Sequence, residues 1–304
     1  MVNAERVPDT QAAHRASGRQ SVHLFMVTGD PLSKVRRVLA ELANLPPDVR
    51  LTVLSGCTAD SDEADIPGAT LLRFPGETPF DMRRRISELA GDSEWLLLLE
   101  DHNHLDRSWL DRLRQAVASA PADAQAVLGG AENRTSTDRW SWANFLMVLG
   151  FHWTPKQIDA VEPIFFNVAF RRSLLPSHRL EAGEFEVHLL ATLAEKPVAA
   201  DFAIDHVQFR RFPGVLFYHW CNGRVTGAAM RQHHPDGWQH VVRHASRVST
   251  TRISQLATSM KRHPDAAALP AGTLFRVALL SACHATGALY GGLFGPGDAA
   301  RHLE

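Results

Sequence analysis

"SEWLLLLEDHNHLDRSWLDRL", residues 93–113, drives an unbroken apolar run, Trp95 to Leu99, straight into Glu100, Asp101 and His102. Continuous apolarity over so short a run marks a strand buried on both faces. In an open α/β sheet, ligands sit beyond the carboxyl ends of the strands, where the strand order switches. Two acids and an imidazole at such an end have two readings. One is a polar loop ahead of the helix "RSWLDRL", with Asp106 as its cap. The other is a ligand set, since hard oxygen donors and one imidazole suit Mn2+ or Mg2+, which in turn hold a diphosphate.

The flanking sequence supplies a sheet for that strand. "VHLFMVTG" (22–29), "VRLTVLSG" (49–56) and "ATLLRFPG" (69–76) read as strands. "LSKVRRVLAELANL" (32–45) and "PFDMRRRISELAG" (79–91) have helical periodicity. Strands alternating with helices predict a mainly parallel α/β sheet flanked by helices. Farther on, "AQAVLGGAEN" (124–133) reads as a strand entering a Trp-, Ser- and Asn-rich loop, and "EPIFFNVAFRRSLL" (162–175) as a strand and turn. "EFEVHLLATLAEK" (184–196) is helical, "VAADFAIDHVQF" (198–209) is a strand ending near His206, and the tail is helical. No internal repeat is present.

Composition narrows the class. The 304 residues are 45% hydrophobic and 21% charged, which fits a soluble globular chain with a sizeable core. A net charge of −1 gives no electrostatic case for nucleic acid. Three widely spaced cysteines and no CxxC pair suit a reducing compartment. The polar start, "MVNAERVPDTQAAHRASGRQ", predicts a disordered leader (1–20) and a cytoplasmic protein. No GxGxxG follows the first strand, and neither a P-loop nor a GxSxG elbow occurs.

The succession of elements into "LLLLEDHNHLDRSWL" resembles the GT-A nucleotide-sugar domain of family 2 glycosyltransferases. In that family an apolar strand, an Asp-x-Asp motif and a helix opening on Trp-Leu follow one another. Glu100 falls on the first Asp, His102 on the second, and Trp109-Leu110 on the helix start. "GEFEVHLLATLAEKPV" is similar to the family's acidic helix start, with Glu184 at the usual base position and Glu186 two residues on; Gly183 and Leu190 depart from the pattern. "DHVQFRRFPGVLFYHWCNGRVTGAAMRQHHP" resembles its His, aromatic and Gly-Arg ending, which places His206 as a third metal ligand. The resemblance spans roughly residues 22–235.

The resemblance implies an inverting transfer of a sugar from a nucleotide-diphosphate donor to an unidentified acceptor, a small molecule, glycan or lipid-linked group. Glu184 or Glu186 would be the base, and Mn2+ or Mg2+ on Glu100, His102 and His206 the Lewis acid. Thr28, Asp30, Ser55, Asp60, Arg83, Glu100, Asp101, Arg210 and Arg224 would line the donor, and Trp140 or Trp142 would stack on an acceptor sugar. Ser55 and Gly56 stand where the family carries an acid that reads the base, which leaves that task to backbone groups or Asp60. The expected domains are a catalytic unit over 21–235 and a helical extension over 236–304. For the apolar stretch 272–295, with Arg276 and His284 inside it, the expectation is a packed helix with at most peripheral membrane contact. A homodimer is one expected assembly. The alternatives are an inactive GT-A-like nucleotide- or glycan-binding scaffold and a nucleotidyltransferase.

Overall fold

Strands β1 (Val22–Thr28), β2 (Val49–Ser55), β3 (Ala69–Arg73) and β4 (Trp95–Glu100) form a parallel run of four in a seven-stranded sheet. In a computed structural model of the chain the described residues are 20–58, 66, 68–134, 138–153, 167–176, 180, 185, 188–189, 197–208, 211–233, 236–261 and 263–303. The leader apart from Gln20, and nearly all of the expected helix over 184–196, lie outside them. With β6 (Ala126–Leu128), β8 (Val168–Arg171) and β9 (Pro197–Ala199), the order is β3-β2-β1-β4-β8-β6-β9. Only β8 runs antiparallel to its neighbours. Trp95 to Leu99 are all 1% exposed or less, as a strand covered on both faces requires.

The order reverses between β1 and β4. From β1 the chain winds outward through β2 and β3, then returns to lay β4 on the other side. The carboxyl ends of β1 and β4 therefore border the crevice where ligands bind in such sheets. Thr28 pairs with Ser55, and Val27 with Glu100, so these three ends lie level.

Three expected elements take a different form. The helix over 79–91 is two short ones, α2 (Pro79–Arg83) and α3 (Ile86–Leu89), after α1 (Leu32–Glu41). A capping box between Thr78 and Asp81 starts α2. The turn then tightens, with Arg85 N donating to Met82 O, and the Arg85 side chain leaves for Glu77 and the Phe74 ring. The strand over 124–133 breaks at Gly129-Gly130 into β6 and β7 (Ala131–Asn133), and that over 198–209 into β9 and β10 (Ile204–His206). Both breaks fall level, because β6 pairs with β9 and β7 with β10. The two segments thus cross together from the large sheet into a small one ordered β5-β10-β7, where β5 is Asn103–His104. At Gly129 a Cβ would lie 2.3 Å from Asn167 Nδ2 and 2.6 Å from the Phe202 ring, so only glycine passes the crossing.

The helix after the opening motif, α4 (Trp109–Ser119), begins on the expected Trp-Leu pair. Trp109 is buried, and its indole N–H donates to Phe202 O at 3.1 Å. Asp106 is not its cap residue. It accepts from Ser108 N just ahead of the helix and holds Arg112 with both oxygens.

The remaining α-helices bounded among the described residues are α5 (Arg139–Leu149), α6 (Gly214–His233), α7 (Gly237–Ser246), α8 (Arg252–Met260) and α9 (Thr273–Phe294). A π-helical turn at Arg247–Thr251 joins α7 to α8. Helices α6 and α9 each carry a GxxxG pair, Gly223 with Gly227 and Gly287 with Gly291. A Cβ on Gly223 or Gly227 would lie 2.0 Å from His284 O or Ala288 O, and one on Gly287 or Gly291 would meet Trp220 O or Arg224 O as closely. Paired contacts advance in the same direction along both chains, so the helices run parallel and nearly backbone to backbone. By length and composition α9 could cross a membrane. Ten of its residues are instead buried, the glycines among them, while Phe275, Leu293 and Phe294 remain exposed.

Candidate metal and donor site

The site is assembled by the switch point and the small sheet together. Strand β4 delivers Glu100 at its last residue, and the turn into β5 carries Asp101 and His102. Antiparallel pairing of β5 with β10 sets His206 directly opposite Asn103, one residue from His102. Residues 104 to 106 positions apart in sequence thereby meet. Three atoms converge. His206 Nε2 lies 2.8 Å from Glu100 Oε2, His102 Nε2 lies 3.2 Å from the same oxygen, and the two imidazole nitrogens lie 3.1 Å apart. Among the described residues this is the one group of three or more such side chains close enough to share a metal ion.

The spacing suits an ion. An octahedral cation with bonds of about 2.1 Å places neighbouring ligands about 3.0 Å apart, and the three separations bracket that figure. Glu100, His102 and His206 thus fit one triangular face of such a shell. Asp101 orients the set from outside: His102 Nδ1 lies 3.0 Å from its Oδ1, while Thr28 Oγ1 donates to its Oδ2 at 2.6 Å. Thr28, expected at the donor, therefore bridges β1 to β4 across the switch point.

Electrostatics follow from the crowding. Burial alone would raise the Glu100 carboxyl, but the charge on His102 and hydrogen bonds from both imidazoles hold it well below the usual range. Burial opposes charge on His102 too, yet Glu100 and Asp101 outweigh it and lift its pKa to about 9. Burial, then the positive His102, lower His206. With no cation the set is an imidazolium clamped between two carboxylates beside a neutral imidazole.

Asp30 is exposed beside the end of β1 and pairs with Lys34 at 2.7 Å. Ser55 is fully buried, its Oγ without a hydrogen-bond partner, and offers a base no side-chain surface. The cause is the next residue, because a Cβ on Gly56 would lie 2.2 Å from Glu77 O. The chain's own 74–77 turn covers the end of β2, where the family's acid would stand. Arg83 closes α2 beside that turn. Arg224, expected at the donor, lies on α6 against the end of α9. Its Nε donates to Gly295 O at 3.0 Å, and the guanidinium sits over Trp220 and Tyr290. It closes the carboxyl end of α9, where a cation complements the free carbonyls. Trp140 stacks on Phe212 at 4.9 Å, and Trp142 packs on Phe145 and Trp153. Both are partly buried in α5. Glu184, Glu186, Asp60 and Arg210 lie outside the described residues.

Sequence reasoning missed four polar residues near the centre. Asn103 is fully buried on the same face of the small sheet as His206, and both atoms of its amide lack a partner. Gln208, Asn144 and His219 form a buried chain leading away from His206. Only Gln208 carried a signal, since alternation along a strand puts residues two apart on one face.

No protein-family model matches the chain, and no curated protein does. Among solved structures it is similar to the mannosyltransferase PcManGT from Pyrobaculum calidifontis in complex with GDP-Man and Mn2+. The TM-score is 0.54 at 14% identity, covering 91% of this chain and 88% of that one. It is also similar to glucosyl-3-phosphoglycerate synthase from Mycobacterium tuberculosis in complex with Mn2+, UDP and glucosyl-3-phosphoglycerate. There the TM-score is 0.45 at 15% identity, covering 69% and 80%. The likeness to the mannosyltransferase is one of fold, and with the strand order above it defines a GT-A-type α/β domain followed by a long C-terminal helix.

Proposed function

We propose that this chain is a glycosyltransferase of the family 2 kind, moving a sugar from a nucleotide-diphosphate donor, with a divalent cation held by Glu100, His102 and His206. The observation that carries the reading is the convergence of these three ligand atoms at the switch point of a GT-A fold. Two imidazoles in the set favour Mn2+ over the harder Mg2+. When bound, the cation would supply charge to neutralise the departing nucleoside diphosphate. The chain's own residues do the rest. Thr28 and Asp101 fix the His102 ring, and Arg83 offers a guanidinium to phosphate oxygens. Glu184 takes the acceptor hydroxyl proton, with Glu186 as the nearest substitute.

A panel of nucleotide-sugars with Mn2+ tests this. At least one donor is expected to yield nucleoside diphosphate and free sugar, and chelation should stop it. Nucleoside monophosphate as product would instead assign a nucleotidyltransferase. The covered end of β2 favours a second reading, a donor-binding relative without turnover, which the panel separates because binding would then occur without product.

The base has its own test. Glu184→Gln is expected to lower turnover by about 10²–10⁴-fold at saturating acceptor while donor affinity stays constant. A loss under about tenfold would transfer the role to Glu186 or another acid.

The clamped His102 predicts a pH dependence. Its pKa is raised from 6.5 to about 9, so below that value a metal must displace one proton to reach Nε2. Affinity for Mn2+ is expected to rise by up to about tenfold per pH unit from neutrality to about pH 9 and then level off. In the metal-free protein the sign is opposite. The stability this clamp contributes is complete below 6.5 and is lost as pH climbs through about 9. Calorimetric titrations across this range check both, and an affinity that does not change with pH would contradict them.

A further inference from the structure

A buried chain of side chains runs from the centre into the helical layer. Gln208 Nε2 lies 2.6 Å from His206 Nδ1, Asn144 Nδ2 donates to Gln208 Oε1, and Asn144 Oδ1 lies 2.7 Å from His219 Nε2. None of the four is more than 7% exposed. They come from β10, the segment just after it, α5 and α6, so the contacts join the small sheet to two helices. Packing alone does not call for four linked polar groups, and burying them is costly unless each contact is satisfied.

We propose that Gln208 and Asn144 are positioning residues that select the tautomer of His206 and thereby set the cation affinity of the centre, with His219 as the far terminus. This rests on the metal-centre reading above.

The protons along the chain can be arranged in two ways. In one order every donor points inward. His219 Nε2–H donates to Asn144, Asn144 to Gln208, and Gln208 Nε2–H to His206 Nδ1. The single proton of neutral His206 is then on Nε2, where it meets Glu100 Oε2 at 2.8 Å. That order suits a centre with no cation and blocks a cation, because a ligating nitrogen needs its lone pair. Turn both amides over, and His206 Nδ1–H donates to Gln208 Oε1, Gln208 to Asn144 Oδ1, and Asn144 to His219 Nε2. Each contact again has one donor and one acceptor, each imidazole keeps one proton, and no net proton leaves the relay. Now His206 Nε2 presents a lone pair beside those of Glu100 and His102. Metal-ligating histidines are held in this way by a partner on the other ring nitrogen. Here that partner is an amide able to serve either state.

Three variants of the full chain and two readouts test it, neither requiring turnover. Gln208→Leu removes the acceptor and should weaken Mn2+ binding, read by electron paramagnetic resonance, by about 10–100-fold. Gln208→Glu and Asn144→Asp each hold the His206 proton on Nδ1, the first by accepting it directly and the second by accepting from Gln208 Nε2–H and so turning Gln208 Oε1 to His206, so each should bind Mn2+ at least as tightly as the parent. Nitrogen NMR of histidine-labelled protein, with Zn2+ as a diamagnetic probe, should show the His206 proton on Nε2 without metal and on Nδ1 with it. If Gln208→Leu does not fold, the two acidic variants and the spectrum still decide. Parent protein that binds Mn2+ while Gln208→Leu binds it equally well, or with the His206 proton fixed on one nitrogen in both states, would overturn the relay alone. Parent protein that binds no Mn2+ would overturn the metal centre and the relay with it.

Discussion

Replacing His102 with alanine is expected to abolish metal-dependent binding of a nucleoside diphosphate, a loss above about 100-fold, since even residues outside the ligand shell cost 10–100-fold. The expectation follows from the geometry, because among the described residues His102 contributes one of three converging ligand atoms, and without it Glu100 and His206 supply two. The fold should survive, as His102 sits in the turn between β4 and β5 with its side chain 23% exposed. Calorimetric titration of nucleoside diphosphates with Mn2+, beside a circular dichroism spectrum, reads both halves. Undiminished binding in the variant would remove His102 from the centre.

The second large effect concerns the helical layer. Gly227→Val should destabilise the protein by about 3 kcal/mol or more, at or beyond the upper end for overpacked cores. The new Cβ would start 2.0 Å from Ala288 O, a backbone atom that cannot rotate away. Helices α6 and α9 must then separate, and α6 carries His219 at the end of the polar chain. A loss of that size is a large share of a typical 5–15 kcal/mol. Gly214→Ala is the control, because nothing lies within 4 Å of a Cβ there, and it should be nearly neutral. Denaturant unfolding compares the two. A Gly227→Val midpoint equal to the parent's would contradict the close parallel contact.

What was legible in the sequence follows from how local each signal is. The apolar run 95–99 and its polar end identify a central strand and its carboxyl terminus without help from the rest of the chain. Alternation of strands and helices to residue 119 identifies a parallel sheet for the same reason. His206 required motif order, because only the pairing of β5 with β10 brings it to Glu100. The breaks within 124–133 and 198–209 left no trace in periodicity; they arise because two parallel strands change sheets at the same level. The contact of Arg224 with Gly295 O was not legible, because the partner of a helical arginine is decided by the neighbouring helix, here the end of α9. Gln208, Asn144 and His219 are linked across 64 and 75 residues, and no short motif encodes that.

The ligand assignment is the centre of the account, and anomalous diffraction from crystals grown with Mn2+ and a nucleoside diphosphate tests it most directly. One manganese peak is expected, bonded to Glu100 Oε2, His102 Nε2 and His206 Nε2 at about 2.0–2.3 Å, with diphosphate oxygens completing its shell. No peak there, or manganese held by other residues while the three side chains keep their contacts to one another, would contradict it.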